Sequence, residues 1–126
     1  MKLTPPVSDE QISGLCAEAV GLLVDGQYEA LAAKFGYVLA YGREPASAIE
    51  ADLKVGLSNV GAARLTGPAS LSSTAVVHLQ KNDTGLRSAV DFEVPADNGA
   101  TILVSLVVTG QGDERYLSLE DVCGVA

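Results

Sequence analysis

The spacing of apolar residues changes period once along this chain, from 3.6 to 2, near residue 61. Before that point the pattern predicts helices. Ser8 is placed to cap the first, with Gln11 completing a capping box and Val7 and Ile12 a hydrophobic staple. Ile12, Leu15, Cys16, Ala19, Leu22 and Leu23 then fall on one face, and Asp25-Gly26 stops the run. Tyr28, Leu31, Ala32, Phe35, Val38 and Leu39 predict a second helix ending at Gly42. A third opens either at Pro45 or with Ser47 and Glu50 as a second capping box. Its apolar side is Ile49, Leu53 and Leu57, and Asn59-Val60-Gly61 closes it.

After residue 61 the alternation predicts strands joined by hairpins. Residues 62–66 are expected to form a short extra strand. Leu71, Ala75, Val77 and Leu79 alternate with Ser72, Thr74, Val76 and His78 up to a tip at 82–85. Leu86, Val90, Phe92 and Val94 alternate with Arg87, Ala89, Asp91 and Glu93 before a second tip at 96–99. Residues 110–113 are a third tip, and a last strand runs over 115–123. Between the second and third tips lies Thr101–Thr109, which contains no charge, proline or glycine. Such a run reads as a strand buried on both faces. Leu103 and Val107 point one way; Ile102, Val104, Leu106 and Val108 point the other. The expected fold class is α+β: three N-terminal helices on a curved, mainly antiparallel sheet, in the order α-α-α-β-β-β-β.

Length fits one domain over residues 1–126, large enough to remove roughly two-thirds of its unfolded surface from water without a staple. Eight basic and sixteen acidic residues give a net charge of −8 and a pI near 4.4. The acidity is evenly spread, with four basic and eight acidic residues in each of 1–61 and 62–126. That balance disfavours nucleic acid and anionic membrane as partners and permits a basic protein partner. The N-terminal residues carry no apolar run of signal-peptide length, and no 18 consecutive apolar residues occur, so the expected location is cytoplasmic. Asn82-Asp83-Thr84 matches a glycosylation sequon, which has meaning only in a secreted chain. Cys16 and Cys123 read as buried, reduced thiols.

Residues 22–35, Leu-Leu-Val-Asp-Gly-Gln-Tyr-Glu-Ala-Leu-Ala-Ala-Lys-Phe, resemble the first-to-second helix junction of the nuclear transport factor 2-like (cystatin-like) superfamily. Residues 115–122, Arg-Tyr-Leu-Ser-Leu-Glu-Asp-Val, are similar to that superfamily's final strand. The resemblance implies a cone in which helices close over the concave face of the sheet, often around a pocket. Its enzymes include ketosteroid isomerases, polyketide cyclases and scytalone dehydratase. The isomerases place a Tyr on the first helix and an Asp base shortly after the Phe of the second. Here those places hold Ala19 and the segment Gly36-Tyr37-Val38-Leu39, so neither role is filled.

Little else in the chain suggests catalysis. His78, the single imidazole, is expected beside Ala89 and diagonal to Arg87 and Asp91; a His78–Asp91 acid/base pair is the weak catalytic candidate, against a plain solvent-facing reading. Tyr37 and Tyr41, one turn apart on the second helix, are candidates for a pocket mouth or partner contact. One His and two Cys without CxxC spacing supply no zinc cluster. Gly110-Gln111-Gly112 is a hairpin tip, not a phosphate loop, and there is no nucleophile elbow or basic aromatic stripe. No cofactor or metal is expected.

With the three helices lying over Leu103 and Val107, the opposite face remains uncovered. Ile102, Val104, Leu106 and Val108, beside Leu117 and Leu119 of the last strand, then form an aliphatic interface. The expected function is non-catalytic protein binding through that outer face, as a homodimer or with a protein partner. A toxin-neutralising immunity protein with a basic toxin is its specific version. The alternative is a small-molecule isomerase, cyclase or lyase working in the cone.

Overall fold

The computed structural model describes residues 1–3, 8–66, 75–78, 86–110 and 114–125. Strand β1 (Lys2–Leu3) precedes helices α1 (Asp9–Val24), α2 (Tyr28–Phe35) and α3 (Pro45–Asn59), with a 3₁₀ turn at Val38–Ala40 between the last two. Strands β2 (Ala75–His78), β3 (Leu86–Pro95), β4 (Thr101–Thr109) and β5 (Arg115–Val125) follow. They form one antiparallel sheet in the order β1-β5-β4-β3-β2. This is the α+β arrangement of helices followed by strands. Strand β1 had no signal in the periodicity, because two residues carry no period. Among the described residues no helix is long and apolar enough to cross a membrane.

Local chemistry explains the helix boundaries. Ser8 is extended and accepts a hydrogen bond from the Gln11 N–H at 3.1 Å, the expected cap. Val7, its expected staple partner, lies outside the described residues. Helix α3 starts at Pro45, and its cap is Glu44, whose two carboxylate oxygens accept from the Ala46 and Ser47 N–H groups at 3.2 and 2.7 Å. A hydrogen bond with the Ser47 side chain, then those two backbone bonds, hold the Glu44 carboxyl below its ordinary range.

The second helix is shorter than its periodicity suggests. It stops at Phe35 because Gly36 turns to φ 72°, a region closed to most side chains. Tyr37 is then extended and pairs with Leu119 at the edge of β5 in a parallel bridge. Tyr37 and Tyr41 are therefore not one helical turn apart. Tyr37 is buried, whereas Tyr41 sits at φ 48° and is 81% exposed. Of the short strand expected at 62–66, Leu65 alone bridges, to Ala96. The tips at 82–85 and 111–113, and the sequon, lie outside the described residues.

The covered face of the sheet is the reverse of the expected one. Ile102, Val104, Leu106, Val108, Leu117 and Leu119 are at most 2% exposed and share one core with Ile12, Leu23, Phe35 and Ile49 of the helices. Register explains why: Ile102 pairs with Val94, Val104 with Phe92 and Leu106 with Val90, all fully buried. Paired residues share a face, so these strands pool their largest aliphatic and aromatic side chains under the helices. The six residues expected to form an outer interface are the heart of the core.

Helix α3 lies so close to β5 that two glycines face each other across the contact. A Cβ on Gly124 would fall 2.6 Å from the Gly56 carbonyl oxygen, and one on Gly56 3.0 Å from the Gly124 nitrogen. The close seat of this helix on the sheet demands glycine at 124 and leaves little room for a side chain at 56.

Candidate functional site

Two groups of polar residues stand out, and the structure gives them different characters. The first links the 3₁₀ turn to α3. The Tyr37 hydroxyl donates to Asp52 Oδ2 at 2.5 Å. Arg43 donates to both Asp52 oxygens, from Nη1 at 3.0 Å and Nη2 at 3.1 Å. The same guanidinium also donates to the carbonyls of Ala40 and Leu39, at 2.9 and 2.8 Å. Hydrogen bonds from Arg43 hold the Asp52 carboxyl below its usual value. Burial, then the Asp52 carboxylate, push the Tyr37 phenol well above its usual value. The Tyr37 hydroxyl is thus committed as a donor to a carboxylate already paired with Arg43. This cluster is a clamp joining three segments. Sequence reasoning singled out Tyr37 and missed Arg43 and Asp52, since no short motif links residues 9 and 15 positions apart.

The second group lies on the face of the sheet turned away from the helices. Leu103 pairs with Glu93 on one side and Cys123 on the other; Ser105 pairs with Asp91 and Asp121; Val107 pairs with Ala89 and Ser118. Because paired residues share a face, these nine form three rows across β3, β4 and β5. Asp91 and Glu93 are exposed, and Leu103, Ser105, Asp121 and Cys123 are half-buried. Val107 is buried yet belongs to no part of the helix-covered core. Among the described residues, none of the three carboxylates forms a salt bridge and no helix covers this face. Cys123, expected to be buried, stands here half-exposed; burial, then the Asp121 carboxylate, raise its thiol above the ordinary value. Cys16 is fully buried, and burial pushes its thiol up to about 12, so it stays an inert part of the core.

The backbone register differs from the one that would set His78 diagonal to Asp91. His78 pairs with Ser88, one position from the expected register, and Asp91 pairs with Ala75. His78 thus occupies a position on the Val90 side of the sheet and Asp91 one on the opposite side. The Arg87 side chain, expected diagonal to His78, lies outside the described residues.

A surface groove of about 320 Å³ lies between the α1–α2 turn and the start of α3, lined by Tyr28, Glu29, Glu44, Ser47 and Glu50 among others. Two of its three carboxylates are engaged: Glu44 caps α3, and Glu50 pairs with Lys54 at 3.1 Å. A smaller cavity of about 200 Å³ adjoins Tyr28 on the side of Leu23, Leu53 and Leu57. Among the described residues no three His, Cys, Asp or Glu side chains converge as metal ligands would.

Comparison of the chain with models of known families, with curated proteins and with solved structures finds no match in any of the three.

Proposed function

We propose that this protein is a non-catalytic binding module that associates with another protein through the helix-free face of its sheet. The observation that carries this reading is the contrast between the two faces. The covered face is filled by Phe92, Val94, Ile102, Val104, Leu106 and Leu117, each at most 1% exposed, where a cone enzyme needs an open cavity with inward ionisable groups. The other face carries half-buried Leu103 framed by side chains that have no covering element among the described residues. A sheet face that carries an aliphatic residue among polar ones suits protein association. A toxin-neutralising immunity protein is the specific form suggested by the superfamily resemblance together with the net charge of −8.

The test compares wild type with Leu103→Arg as bait for co-purification from cells that express the protein. The reading predicts that a protein retained by wild type is lost with Leu103→Arg, while both baits unfold at the same temperature. Equal retention by both baits contradicts it. So does a wild type that retains nothing and sediments as a monomer at every concentration.

A further inference from the structure

On the reading that the helix-free face binds a protein, we infer that its partner is a basic protein surface, and not a second copy of this chain. The partner is expected to set two or three lysine or arginine side chains beside an aliphatic one. The placement of charge on this face supplies the argument. Asp91 and Glu93 are two residues apart on β3 and point the same way, which puts them about 7 Å apart. Asp121 stands across Ser105 from Asp91, two strand spacings away, or about 10 Å. The three carboxylates thus mark a triangle, with Ser105 on the edge between Asp91 and Asp121 and Leu103 just beside it, between Glu93 and Cys123.

Like charges at this spacing repel, and among the described residues no cation answers any of the three. The salt bridges among the described residues lie elsewhere: Lys34 with Glu18, Arg43 with Asp52 and Lys54 with Glu50, all on the helical side. Among the described residues the acidity of this face is therefore unanswered, which suits a cationic partner. A two-fold dimer through it would set one acidic triangle against another, since such an interface opposes the same patch on both subunits. A partner with cations spaced by one helical turn, about 6 Å, or by two strand residues, about 7 Å, fits the triangle and places its apolar residue over Leu103.

The probe is a synthetic helical peptide with lysines one turn apart around leucines, titrated by calorimetry at low ionic strength. Four proteins are compared: wild type, Asp91→Asn/Glu93→Gln/Asp121→Asn, Glu10→Gln/Asp25→Asn/Glu29→Gln, and Leu103→Ser. Both triple variants move the net charge from −8 to −5, so bulk electrostatics change equally. Expected is about a tenfold loss of affinity for the face triple and less than about twofold for the control triple. Leu103→Ser also weakens binding. Equal losses in the two triples, or none in either, overturn the basic-partner inference. If Leu103→Ser still weakens binding in that case, association through this face stands; if it too has no effect, the binding reading falls as well. Circular dichroism confirms that each variant is folded.

Discussion

Tyr37, Arg43 and Asp52 illustrate how three distant residues come to act as one. Asp52 accepts from both partners, so the variants differ in what they leave behind. Tyr37→Phe removes one hydrogen bond and leaves the carboxylate paired with Arg43; the expected loss is about 1 kcal/mol. Asp52→Ala strands a buried phenol and removes the anchor of the guanidinium, with an expected loss of about 2–3 kcal/mol. Urea unfolding of the two variants measures both. The same residues set the pH limits of the clamp. Asp52 is depressed in the folded state, so its contribution is present above the unfolded carboxylate value and is lost as pH falls through the folded one, in the window below about pH 4. Tyr37 is raised, so its contribution is present below about pH 10 and is lost as pH rises through its folded value. Stability measured against pH in wild type and Tyr37→Phe should differ least at alkaline pH, where the phenol no longer holds its bond. A constant difference across the whole range would contradict this.

At the scale of the element, the seat of α3 on β5 is the most constrained contact. Gly124→Ala would press a methyl into the Gly56 carbonyl and should cost about 2 kcal/mol or more. Gly14→Ala, on the exposed side of α1 with no atom near its Cβ position, should stabilise by about 0.5–1 kcal/mol. Thermal unfolding of the pair checks both signs. The order of helices and strands was legible because each long element carries its own period. Which face of β4 is covered was not read correctly, although the neighbouring strand held the signal. On β3 the residues alternating with Val90, Phe92 and Val94 are Asp91 and Glu93, and on β4 the set containing Leu103 and Val107 also contains Ser105. Once the hairpin register pairs these two polar sets, the covered face can only be the other one. The early end of α2 was hidden for another reason. Val38 and Leu39 continue the helical spacing, but the positive φ of Gly36 and the pairing of Tyr37 with Leu119 override it. Arg43 and Asp52 were beyond sequence reasoning, since their meeting depends on how the 3₁₀ turn lies against α3.

For the whole molecule, the reversal of the faces moves the proposed binding surface from an aliphatic sheet to an acidic one. Val104→Lys now places a charge at a position 1% exposed within the core, and is expected to cost about 4 kcal/mol or more and to prevent folding. Leu103→Lys, one residue away on the helix-free face, should fold with near wild-type stability; a soluble, cooperatively melting Val104→Lys protein would contradict this orientation. The three like charges on this face carry a further consequence for the free protein. Asp121→Asn relieves repulsion across β4 and should raise stability by a few tenths of a kcal/mol while weakening association with a cationic partner. A residue that costs stability when free and contributes when bound is what a binding surface requires. The most direct test of that surface is amide chemical-shift mapping of the isotopically labelled protein during titration with the lysine–leucine peptide. The account predicts that the largest shifts fall on Asp91, Glu93, Leu103, Ser105, Asp121 and Cys123. Largest shifts on Tyr28, Glu29 and Glu44 would instead place cation binding in the groove beside α3 and contradict it.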